Sequence, residues 1–112
     1  MRAKPSKCPA ESTLALIAGR WKIPLIFHLL DGAKRFSELF RALAGVTQKV
    51  LTQQLREMER HGLVERQVFA QVPPKVVYSL TPLGRSLKPV VDAMCRWGDV
   101  HGSTATAREA QS

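Results

Sequence analysis

The chain has 112 residues, 45% hydrophobic and 23% charged, which leaves room for one domain and supplies enough apolar content for a core. Seventeen Lys and Arg against nine Asp and Glu give a formal charge of +8 at pH 7, which predicts a polyanionic partner, nucleic acid first and an anionic membrane surface second. The most apolar stretch, Ile23 to Leu30, is interrupted by Pro24 and His28 and falls far short of the roughly 20 residues that span a bilayer; no apolar signal-peptide core follows MRAKPSKCPA. The expectation is a cytoplasmic protein with no membrane partner, associated with the nucleoid when it holds DNA.

Residues 1–7 and 102–112 read as flexible tails around a folded unit of residues 8–101. Pro9 suits a first helical position, and helical spacing through Leu14, Ile17 and Ala18 stops at Gly19. A second helix starts near Trp21, tolerates Pro24 in its first turn, buries Leu25, Ile26, Leu29 and Leu30, and stops at Asp31-Gly32. After a connection at Ala33 to Phe36, Ser37 is the expected cap of a third helix through Leu39, Phe40 and Leu43, closed at Ala44-Gly45. Thr47 caps a fourth, from Gln48 to about His61, with Val50, Leu51, Leu55 and Met58 on its apolar side and Gly62 as its stop. Two helices joined by a short Gly-containing turn form a helix-turn-helix. Leu63 to Phe69, rich in Val and Phe, and Val76 to Leu80, which alternates around Val76, Tyr78 and Leu80, then read as strands joined by a turn at Val72-Pro73-Pro74-Lys75. Thr81-Pro82 opens a last helix with Leu83, Leu87, Val90, Val91, Met94 and Trp97 on one face, in which Pro89 introduces a bend. The predicted fold is mainly α with a small β-hairpin, a winged helix-turn-helix of order α-α-α-α-β-β-α.

The side of the fourth helix that its apolar stripe leaves free carries Gln48, Lys49, Thr52, Gln53 and Arg56, with Arg60 a turn further on. Gln and Arg match the edges of adenine and guanine, and Lys and Thr reach phosphate, so this face suits the major groove of double-stranded DNA. Its acids, Glu57 and Glu59, come late, away from the end that a recognition helix inserts. Arg66 on the first strand, with Gln71 and Lys75 at the tip, would touch the DNA backbone or minor groove as a wing, and Lys34 and Arg35 could hold phosphate.

Cys8 stands at the N-terminus of the first helix beside Lys7 and Lys4, where a helix end and neighbouring cations favour the reactive form of a thiol; it is the redox-sensing candidate. Cys95, beside Met94, is expected to be buried and inert. The two cysteines with His28, His61 and His101 show no metal-ligand spacing, His28 reads as a core or edge residue, and no phosphate loop, nucleophile elbow or paired carboxylates occur, so neither metal, cofactor nor enzyme is expected. The last helix carries more apolar surface than one small domain can cover. Leu87, Val90, Val91, Met94 and Trp97, with Leu14 and Ile17 of the first helix, are therefore the expected seam of a homodimer, whose symmetry calls for an inverted-repeat operator. A regulator answering a small ligand held at that seam, and a winged-helix module that docks a protein, are the alternative readings.

Three stretches, Cys8-Pro9-Ala10-Glu11, Gly19-Arg20-Trp21-Lys22 and Asp31 to Leu39 (DGAKRFSEL), are similar to the HxlR family of bacterial transcriptional regulators. Gln48 to Glu59 (QKVLTQQLREME) resembles that family's recognition helix, and Gly62 to Arg66 with Val72 to Thr81 resembles its wing. The resemblance covers about residues 8–98 and implies a winged-helix homodimer on operator DNA, with the first and last helices at the dimer interface. It also implies, for several members, sensing of electrophiles or oxidants through a cysteine matching Cys8.

Overall fold

A computed structural model describes residues 8–102; the expected tails at 1–7 and 103–112 lie outside the described residues. The elements are α1 (Pro9–Ile17), α2 (Lys22–Leu30), β1 (Lys34–Arg35), α3 (Phe36–Ala42), α4 (Gln48–Arg60), β2 (Val64–Phe69), β3 (Lys75–Leu80), α5 (Pro82–Arg85) and α6 (Lys88–Trp97), followed by a π-helical turn over Gly98–Gly102. Pro9 opens α1 and Thr47 caps α4, whose Val50 N–H donates to Thr47 Oγ1 at 3.1 Å.

Three expectations need correction. Lys34 and Arg35 are a short strand rather than a plain connection: β1 lies antiparallel along β3, with Lys34 opposite Tyr78 and Arg35 opposite Val77, so the sheet has three strands in the order β1-β3-β2. Ser37 does not cap α3 but sits inside its first turn; the cap position is Arg35, whose N–H donates to Glu38 Oε1 at 2.8 Å and starts the helix earlier. The last helix is broken, not merely bent. Pro89 has no N–H for the Arg85 carbonyl and its ring crowds that group, so α5 stops at Arg85 and α6 restarts with Pro89 in its first turn.

Leu25, Ile26 and Leu29 of α2, Leu39 of α3, and Leu51, Leu55 and Met58 of α4 are fully buried and meet Leu63, Val64 and Leu80 at the base of the sheet. Ile17 and Val91 close this core from α1 and α6. The step from α4 into the wing is fixed by a Schellman motif: Leu63 N–H donates to the Met58 carbonyl at 2.9 Å and Gly62 N–H to the Glu59 carbonyl at 3.0 Å, with Gly62 at φ +76° where a side chain would be strained. Thr81 closes the wing's base by donating its hydroxyl to the Gly62 carbonyl while accepting from Gly84 N–H at 3.0 Å. Gly84 itself is buried against β2, and a Cβ there would overlap the Leu63 carbonyl oxygen.

Candidate nucleic-acid interface

With Leu51, Leu55 and Met58 in the core, α4 turns Gln48, Lys49, Gln53 and Arg56 outward, exposed, with Thr52 half-buried among them. These five side chains line one shallow depression. Among the described residues none of the five makes a side-chain hydrogen bond or ion pair, and the first turn of α4 holds no acid. Arg60 is exposed at the helix end.

Both late carboxylates of α4 are engaged elsewhere, which keeps this face cationic. Glu57 Oε1 accepts from Lys22 Nζ at 2.7 Å, and the same ammonium donates to Gln54 Oε1 at 2.9 Å. Lys22 is buried at 6% exposure, and a buried ammonium persists only when hydrogen-bonded and paired. Its partners are both on α4, so it ties the start of α2 to the second half of α4. The hydrogen bond and charge of Lys22 hold the Glu57 carboxyl below the usual glutamate range. Glu59 faces the wing, with Oε1 4.0 Å from Arg66 Nε. Residue spacing assigns Lys22 and Gln54 no role; nothing local marks a lysine in an apolar helix as the partner of residues 32 and 35 positions away.

The expected wing cations do not share a face of the sheet. Arg66 pairs with Tyr78 and Lys75 with Phe69, an odd number of residues apart along each strand, so the two cations project from opposite faces of the sheet. Lys75 Nζ rests 5.2 Å from the Phe69 ring centroid, near the exposed tip that carries Gln71. Lys34 and Arg35, adjacent on β1, likewise point to opposite faces and cannot share one phosphate. On the Arg66 side, Thr52, Leu55, Arg56 and Glu59 of α4 and Arg66 and Tyr78 of the sheet line a polar cleft of about 210 Å³. Burial pushes the Tyr78 hydroxyl up from its ordinary value against the opposing charges of Arg66 and Arg56.

A second uncovered surface lies across the molecule, where Ala10, Thr13, Leu14 and Ile17 of α1 and Val90 and Met94 of α6 form an almost wholly apolar groove. Leu14, Val90, Met94 and Trp97 are 36–62% exposed, with Val100 beyond them at 67%. Three residues expected at a dimer seam belong to the chain's own core: Ile17, Leu87 and Val91 are 1%, 8% and 0% exposed, and only Ile17 reaches the groove. Ile17 faces the core from the end of α1, Leu87 from the turn between α5 and α6, and Val91 from the first turn of α6. Cys8 is exposed at the N-cap of α1 and its side chain makes no capping bond; its expected neighbours Lys4 and Lys7 lie outside the described residues. Cys95 is exposed, not buried, because α6 has passed beyond the core by that point. His28 is half-buried in α2. Among the described residues no three His, Cys, Asp or Glu side chains come together to hold a metal, and no single helix is long and apolar enough to cross a membrane.

This arrangement has close counterparts. Residues 16–106 match the family model for HxlR-like helix-turn-helix proteins. The chain is 53% identical over 92 residues, 82% of its length and 72% of the relative's, to YdeP of Bacillus subtilis (strain 168), an uncharacterized helix-turn-helix-type transcriptional regulator. The reduced form of the redox regulator HypR superposes with a TM-score of 0.84 at 48% identity, covering 89% of this chain and 99% of that one. The reduced form of the transcriptional regulator YodB from B. subtilis does so with a TM-score of 0.73 at 41% identity, covering 86% and 95%. The matches run through the helix-turn-helix, the wing and α6, and the chain belongs to the HxlR-like helix-turn-helix family of DNA-binding transcriptional regulators.

Proposed function

We propose that this protein is a homodimeric repressor, not an enzyme, that acts in the bacterial cytoplasm by reading an inverted-repeat operator with α4 and that lets go of it when the Cys8 thiol is modified. The observation that carries the reading is the outward face of α4: two amides, a hydroxyl and two cations whose side chains have no partner among the described residues and match the donor and acceptor edges of the major groove. In this reading Gln53 and Arg56 meet base edges, Gln48, Lys49 and Thr52 meet bases or phosphate, and Lys75 on the outer face of the wing adds backbone contact. A second copy covers the α1/α6 groove, because exposed Leu14, Met94 and Trp97 form an apolar patch that a soluble monomer rarely leaves in water. A twofold axis there sets two α4 helices about 34 Å apart, one turn of duplex.

Support for the signal comes from position. Cys8 begins the helix whose Ala10, Thr13, Leu14 and Ile17 form one wall of the groove, so an adduct or disulfide at its thiol would act on the surface that sets the spacing of the two reading helices. The similarity to HypR, described as a redox regulator, points the same way.

The test begins by selecting bound fragments from genomic DNA, which should return an inverted repeat. A thiol-specific electrophile or mild oxidant should then release the selected duplex from the wild type and leave it bound to Cys8→Ser. Equal release from both proteins removes Cys8 as the sensor, and failure to enrich any fragment removes the operator reading.

A further inference from the structure

The inner face of the sheet begins buried, at the pair Val64 and Leu80, and two residues further out it carries the pair Arg66 and Tyr78. Side chains two apart on a strand share a face, so Arg66 and Tyr78 point as Val64 and Leu80 do, toward α4. Lys34 stands opposite Tyr78 from the other side and extends the same row. This row looks across the cleft at Thr52, Arg56 and Glu59. The cleft thus gathers two guanidiniums, a phenol and a threonine hydroxyl around a single carboxylate, with more positive charge than Glu59 can match. The one ion pair inside it is loose: at 4.0 Å, Arg66 Nε and Glu59 Oε1 are too far apart to hydrogen-bond, and both side chains are nearly half exposed. Among the described residues, the Arg56 and Arg66 guanidiniums and the Tyr78 hydroxyl make no hydrogen bond.

We propose that this cleft seats one phosphate group, with Arg66 as its charged donor and the Tyr78 hydroxyl as its neutral donor, and that Glu59 is the internal competitor that the phosphate displaces from Arg66. A guanidinium fork matches two phosphate oxygens, whereas the present carboxylate contact engages it only at long range. The raised ionisation of Tyr78 keeps its hydroxyl a donor at neutral pH. Thr52 and Arg56 line both this cleft and the outward face of α4, so a backbone phosphate at the margin of the groove that α4 enters reaches the seat without any movement of the wing. The inference rests on the DNA-binding reading for the source of that phosphate; a free phosphate ion offers the same chemistry.

Two experiments test it. The first measures binding to a mixed-sequence duplex by fluorescence anisotropy, comparing Glu59→Gln with Glu65→Gln, which makes the same charge change one strand position from Arg66 but on the opposite face of the sheet. Glu59→Gln should tighten binding several-fold while Glu65→Gln stays close to wild type, and Tyr78→Phe should weaken binding several-fold. Equal tightening by the two glutamate variants, or full affinity in Tyr78→Phe, overturns the seat. The second follows the Arg66 Nε–H resonance by NMR while inorganic phosphate, and separately the duplex, is added. A saturable shift with phosphate alone supports a seat that also takes the free ion, a shift only with duplex supports the DNA backbone as the source, and no shift with either overturns the proposal. If the wild type binds no duplex yet phosphate shifts Arg66, the DNA reading fails and the seat stands.

Discussion

The outward face of α4 and the groove between α1 and α6 are both left uncovered by the described residues, but they have opposite chemistry. The first offers amides, a hydroxyl and cations with no partner among the described residues; the second offers Leu14, Val90 and Met94 with hardly a polar atom among them. Each face shows what it lacks: an unsatisfied polar surface costs little in water and waits for specific acceptors, while an apolar groove in water costs free energy until it is covered. In the proposed dimer, two α4 helices presented by one covered groove would make a reader of twofold-symmetric DNA, which neither surface could make alone.

The largest effect is expected from placing charge in the groove. Met94→Glu with Trp97→Glu should give folded monomers by sedimentation and lower operator affinity on the order of a hundredfold, because each α4 then binds without its tethered twin. An intact dimer in that variant breaks the comparison at its apolar side. A smaller effect is expected from the tie between α2 and α4. Glu57 is held below its ordinary value of about 4.5, so the Lys22 contact contributes stability that is present above that value and is lost as pH falls through the lowered one. Thermal melts from pH 6 to pH 3 should show this acid loss in the wild type, and Glu57→Gln should lack that part of it; identical pH dependence in both would mean that the contact does not hold α4 in place. The smallest effect is expected at the wing. Lys75→Ala should weaken operator and mixed-sequence duplexes alike and lower the salt slope by about one unit. A loss confined to one base position would make the wing a reader of sequence.

What was legible in the sequence was local. Thr47 as cap, Gly62 as stop and the spacing of Leu51, Leu55 and Met58 define α4 and therefore its free face, and the alternation of Val76, Tyr78 and Leu80 defines the return strand. What escaped depended on distant partners. Two residues such as Lys34 and Arg35 become a strand only because β3 passes alongside, and the same pairing decides that they face opposite ways. Lys22 needed Gln54 and Glu57 to be recognised as more than a polar residue in an apolar helix, and Tyr78 needed α4 across from it to become part of a polar cleft. The exposure of Cys95 and the burial of Val91 follow from where α6 leaves the core, and the burial of Leu87 from the turn that joins α5 to α6, matters of direction that residue spacing alone does not carry.

The proposed reading of base sequence by the outward face of α4 is tested most directly by the ratio of affinities for the selected operator and for a mixed-sequence duplex of equal length, measured at one salt concentration for the wild type, Gln53→Ala and Arg56→Ala. Each substitution should remove about 1–3 kcal/mol of operator binding and change mixed-sequence binding far less, so that the ratio collapses while the dimer stays folded. An unchanged ratio in both variants would contradict it.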